Sequence, residues 1–128
     1  MTEYGFIKEL NMPFKNAIEK VTEELKKEGF GILTSIDIKV KLKEKLNVDF
    51  KKYVILGACN PPFAHKSLLA EENIGLLLPC NVIVYEKGDK TIVGIIKPLT
   101  AMGMLDNEEL HEIAELVQTK LKNVFDIL

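Results

Sequence analysis

Seven apolar residues near the end of the chain, Leu110, Ile113, Ala114, Val117, Leu121, Val124 and Phe125, recur at the three-and-four spacing that gathers them on one side of an α-helix. A stripe this long has to be buried, so it commits the chain to a packed core. Its start is marked as well: Asp106 is placed to cap, Glu109 sits at the third helical position for reciprocal capping, and Leu105 is placed to pack on Leu110 as a hydrophobic staple. A second stripe, Phe14, Ala17, Ile18, Val21 and Leu25, predicts a helix that stops at Gly29. Asn11-Met12-Pro13 supplies a capping residue and an early proline ahead of it.

Shorter runs of strand character fill the interval. Tyr4 to Leu10, Phe30 to Ile38 and Tyr53 to Ala58 read as strands, the last so continuously apolar that it belongs inside a sheet. Val82 to Tyr85 and Thr91 to Ile96 flank Lys87-Gly88-Asp89-Lys90, the pattern of an antiparallel hairpin. One stretch is ambiguous. Ile36, Ile38, Val40 and Leu42 alternate with polar residues at period two, which extends the second strand, whereas Lys39 to Leu46 is rich in helix formers and Asn47 suits a helix end. Asn60 before two prolines is held extended, and its side chain is placed to cap a helix running from Pro61 or Pro62 to about Glu71. The pattern is α+β. With no repeat, low-complexity tract or linker, residues 1–128 read as one domain.

Composition narrows the function classes. The first ten residues mix charge and apolar groups too closely for a signal peptide, and the longest apolar stretch, Ile74 to Tyr85, is broken by Pro79 and Asn81 and too short to span a membrane. A soluble, cytoplasmic protein is the expectation, with Cys59 and Cys80 as reduced thiols. A net charge of −2 argues against nucleic acid as a partner. All 17 basic residues are lysine, so any anion site must do without the planar, bidentate fork of arginine.

The most distinctive local feature is a recurrence: each cysteine precedes an asparagine and the Cys-Asn pair is flanked by a proline, as Cys59-Asn60-Pro61 and Pro79-Cys80-Asn81. Each dipeptide lies where a strand meets a turn, so neighbouring strand ends would bring two thiols and two carboxamides to one pocket. For Cys59 the dipole of the following helix favours a thiolate, a nucleophile or soft-metal ligand. A free cysteine is more commonly a small buried hydrophobe, and that reading holds for both. His65 can be added to the two thiols, but the spacing offers no fourth ligand for a structural zinc. His65 and His111 otherwise read as polar residues on exposed helix faces. Phosphate loops, nucleophile elbows and zincin motifs are absent from the sequence. The lysine-rich stretch Lys39 to Lys52 reads first as a solvated face, and Pro98 to Met104 as an apolar loop suited to core packing, a dimer contact or a pocket lid.

Three segments together carry a resemblance: Gly29-Phe30-Gly31 leading to Ile36-Asp37, Leu56-Gly57-Ala58-Cys59-Asn60-Pro61 with Ala64, and Gly75 to Val82 ending at Val84-Tyr85-Glu86. They resemble the bacterial and archaeal family catalogued as domain of unknown function 302. The resemblance implies a two-layer α+β sandwich, an antiparallel sheet packed on helices, and a homodimer; it also tips Lys39 to Leu46 toward helix. It brings no reaction, substrate or cofactor.

The expectation is therefore a non-catalytic, homodimeric small-ligand-binding or regulatory module whose candidate pocket draws on Cys59, Asn60, Pro61, His65, Pro79, Cys80 and Asn81, with no catalytic residue and no metal assigned. Two rivals stand beside it. One is thiol-based redox, sulfur-handling or soft-metal chemistry at Cys59 and Cys80, and the other is a pure protein-interaction module.

Overall fold

The computed structural model describes residues 2–128. Five strands, β1 (Gly5–Leu10), β2 (Gly31–Asp37), β3 (Tyr53–Cys59), β4 (Cys80–Lys87) and β5 (Lys90–Ile96), form one sheet in the order β1-β5-β4-β3-β2. Every neighbouring pair is antiparallel. Between and after them lie helices α1 (Phe14–Lys27), α2 (Ile38–Leu46), α3 (Pro61–Ala70), α4 (Pro98–Ala101) and α5 (Glu108–Ile127), with 3₁₀ turns at Glu72–Leu77 and Met102–Met104.

The two sequence stripes become the helical layer. α1 brings Ala17, Val21 and Leu25 and α5 brings Ile113, Val117, Leu121, Val124 and Phe125 against one face of the sheet. Alternation on the strands supplies the matching surface: Val54, Leu56 and Ala58 of β3 and Val82 and Val84 of β4 are buried there. Ile74, Met102, Leu110 and Ala114 form a smaller satellite cluster beneath the 3₁₀ turns. The result is a two-layer α+β sandwich with a five-stranded antiparallel sheet. Among the described residues no helix is long and apolar enough to cross a membrane.

The hairpin forms at the expected residues. Lys87 pairs with Lys90, and Gly88 takes φ 62° at the first of the two turn positions, as a type II′ turn requires. The ambiguous stretch after Ile36 is helical. Asp37 ends β2 and caps α2, its carboxylate accepting from the Val40 amide at 3.0 Å, while Asn47 closes the helix in the left-handed region at φ 54°. No residue of α2 is buried, so its caps rather than an apolar stripe define it.

Three local expectations need correction. Asn11 does not cap α1, whose N-cap position is Pro13 without a side-chain hydrogen bond. The cap of α5 is Asn107, not Asp106: its Oδ1 accepts from the Leu110 amide at 3.1 Å while its Nδ2 donates to the Ala70 carbonyl at 3.1 Å. An amide can accept and donate at once, so it ties the end of α3 to the start of α5, which an ionised Asp cannot do. Pro98 to Met104 is not a loop but a helical turn followed by a 3₁₀ turn, with Met102 spent in the satellite core and Met104 exposed.

Candidate functional site

β3 and β4 run side by side to a shared end, where the chain leaves β3 into α3 and enters β4 from the 3₁₀ turn at Glu72–Leu77. α3 leaves the sheet edge to pack on α5 and on that turn. The space left between the strand ends and the two helices is a recess of about 270 Å³. Phe30, Phe63, Leu78, Met102, Ile113 and Val117 give it apolar walls. Its polar groups are Asn60, Ser67 and the two thiols, and no charged side chain lines it.

The recess collects four of the seven residues expected to form a pocket: Cys59, Asn60, Pro79 and Cys80. It does not collect Pro61, His65 or Asn81. Pro61 and His65 are exposed on α3 and do not line the recess. Asn81 follows Cys80 within β4, and consecutive strand residues face opposite sides, so it stands exposed opposite Gly57 on the far face. Three of the four groups of the two Cys-Asn pairs thus meet at the recess. Cys59-Asn60 delivers both groups because the chain turns between them, whereas Cys80-Asn81 delivers only its thiol.

Asn60 has a different task from the one its position suggested. Its side chain does not cap α3. Instead its Nδ2 donates to the Glu28 carbonyl at 3.2 Å, closing the C-terminal end of α1. Gly29 makes room for this: it holds φ 90°, and a side chain there would meet Asn60 Nδ2 at 3.0 Å. Asn60 is only 8% exposed, and among the described residues no donor reaches its Oδ1. The Ser67 hydroxyl donates to the Phe63 carbonyl at 2.8 Å. Pro79 is set by contact with Gly57, where a Cβ would lie 2.7 Å from the Pro79 ring and collide with Thr34 Oγ1.

Both cysteines are free thiols. Burial pushes the Cys80 thiol up to about 11, and the neighbouring Cys59 adds to the effect by disfavouring a second negative charge. Cys80 is therefore protonated at neutral pH, a poor nucleophile and a poor metal ligand. Among the described residues no three His, Cys, Asp or Glu side chains gather closely enough to hold a metal ion. The lysine-rich stretch is engaged locally: Lys41 pairs with Glu44, Lys43 with Asp49, and Lys39 donates to the Phe50 carbonyl.

Sequence reasoning missed the helix-borne walls. Ile113, Ala114 and Val117 carried a signal for burial and are buried, yet they also line the recess because α3 and α5 diverge from the strand ends. Ser67 and Phe63 carried no separate signal, whereas Pro98 and Met102 belong to the Pro98 to Met104 stretch for which a pocket lid was one of the expected roles.

A family model described as domain of unknown function DUF302 matches residues 6–128. The chain is similar over 98% of its length, and over 98% of the other chain, to an uncharacterized conserved DUF302 protein of Bacillus stearothermophilus seen in a crystal structure, with 33% identity and a TM-score of 0.90. No curated protein matches.

Proposed function

Since the chain belongs to the DUF302 family, whose description assigns no activity, we propose from the site itself that it binds a small, largely apolar molecule in the recess at the β3–β4 ends, without catalysis. One observation carries the reading: the recess is walled by apolar side chains, is free of charge, and counts among its few polar groups Asn60, whose Oδ1 no donor among the described residues reaches. A ligand suited to it buries an uncharged hydrocarbon or aromatic body and presents one donor to Asn60. A thiol-based reading keeps one support, that Cys59 and Cys80 line the same recess, and has the protonated state of Cys80 against it.

A cytoplasmic location belongs to this proposal, because a reducing compartment keeps both thiols free. So does a homodimer, for which the exposed Leu33 and Leu68 at the recess mouth are the supporting surface. Sedimentation of the wild type and of Leu33→Asp with Leu68→Asp tests it: a single species of monomer mass for the wild type removes the dimer from the proposal.

Binding is tested by thermal shift with toluene, indole and 1-octanol. A compound at a hundred times its Kd adds about 2.7 kcal/mol of stability. For a chain of 128 residues that raises Tm by about 10 °C. Ala64→Phe, which projects a ring into the recess, should abolish the shift. No response to any of the three, or an equal response in Ala64→Phe, overturns the proposal.

A further inference from the structure

The face of the sheet turned away from α1 and α5 carries a second recess, of about 400 Å³. Its floor is Ile7 of β1 and Ile83 of β4. Both lie in one row of the sheet, because Ile7 pairs with Gly94 and Gly94 with Ile83. Gly94 lets that floor close, since a side chain there would meet Ile7 Cδ1 and Ile83 Cγ1 at 2.9 Å. One wall is a cross-strand pair: Tyr53 lies opposite Tyr85, with ring centroids 5.1 Å apart and planes 7° from parallel. The other is Tyr4, on the segment that leads into β1.

The chemistry of this recess differs from that of the first. Lys51 and Lys87 line it, and no carboxylate does. Among the described residues neither lysine forms an ion pair, although four other lysines do. Lys51 is also prepositioned, its ammonium lying 4.8 Å from the Tyr85 ring centroid. Burial, with the neighbouring phenols of Tyr85 and Tyr4, pushes Tyr53 up from its ordinary value near 10, so its hydroxyl stays a donor at neutral pH. Two unpaired cations beside aromatic walls and an aliphatic floor are complementary to one kind of small molecule.

We propose that this recess binds a small anion with a flat apolar body, the ring lying on Ile7 and Ile83 between the tyrosines and the carboxylate or phosphate meeting Lys51 and Lys87. The proposal stands apart from the ligand assigned to the β3–β4 recess, on the other side of the sheet. Lysine point charges fit either anion, because neither demands the bidentate fork that arginine would supply.

The chain carries its own reporter. It has three tyrosines and no tryptophan, and all three tyrosines line this recess. Titration of the full chain with phenyl phosphate and with benzoate at low salt should change tyrosine emission saturably, and raising the salt should weaken binding. Inorganic phosphate and benzyl alcohol, each with half of the recognised chemistry, should bind at least tenfold more weakly. Lys51→Gln with Lys87→Gln should weaken phenyl phosphate at least tenfold while leaving Tm unchanged, and Ala64→Phe, in the other recess, should leave it intact. Whichever of phenyl phosphate and benzoate binds more tightly identifies the anion. Absence of a saturable change, equal binding of benzyl alcohol, or an unaltered Kd in the double lysine variant overturns the proposal. Tighter binding of a single-stranded oligonucleotide than of phenyl phosphate also overturns it, in favour of a nucleic-acid surface.

Discussion

Gly57→Ala tests how the wall of the first recess is set. Gly57 has no positive φ, so on backbone grounds alone alanine would be favourable, stabilising by about 0.4–1 kcal/mol through the unfolded chain. The packing says otherwise, because the new methyl would lie 2.7 Å from the Pro79 ring and collide with Thr34 Oγ1. Both neighbours are held, Pro79 by its ring and Thr34 by its place in β2 opposite Gly57. Overpacking of this kind costs about 1–3 kcal/mol. The contact outweighs the entropy, leaving a net loss of about 1.3 kcal/mol. With an unfolding entropy of about 0.27 kcal/mol/K for 128 residues, Tm should fall by about 5 °C. Calorimetry or urea denaturation measures it, and Thr34→Ala supplies the second arm of a double-mutant cycle. Removing Thr34 Oγ1 relieves one of the two collisions, so Gly57→Ala should cost about 1 kcal/mol less in that background. A Gly57→Ala variant that melts at or above the parent, or a cost unchanged by Thr34→Ala, refutes the reasoning.

Three further outcomes are expected. Asn60→Ala leaves the Glu28 carbonyl without its donor and should cost about 1–3 kcal/mol in urea denaturation; a loss below about half a kcal/mol would show that water replaces the amide. Asn107→Ala should cost about 1–2 kcal/mol, with Asp106→Ala near neutral; the reverse order restores Asp106 as the cap. Cys80 is pushed up to about 11, so the folded state holds its proton to higher pH than the unfolded chain does. Its contribution is whole below the ordinary value near 9 and fades as pH rises to about 11, by about 2–3 kcal/mol in all. The stability gap between wild type and Cys80→Ala should shrink across that window, and a gap that stays constant refutes the assignment.

What the sequence determined by itself was whatever depends on neighbours along the chain. All seven stripe residues of α5 are buried, and the hairpin turns at Gly88-Asp89, because helical period and turn chemistry are set within a few residues. Even the separation of Cys80 from Asn81 was legible, since adjacent residues of a strand face opposite sides. The partners of polar side chains were not. Asn60 suits a helix cap in sequence, yet the carbonyl it serves belongs to Glu28, 32 positions away, and Asn107 displaced Asp106 because only an amide satisfies both Leu110 and Ala70. Both recesses are likewise tertiary. A cavity is the volume that packed elements fail to fill, set by where α3 and α5 part from the strand ends and where residues preceding β1 lie over the sheet, and no local pattern encodes such a distance.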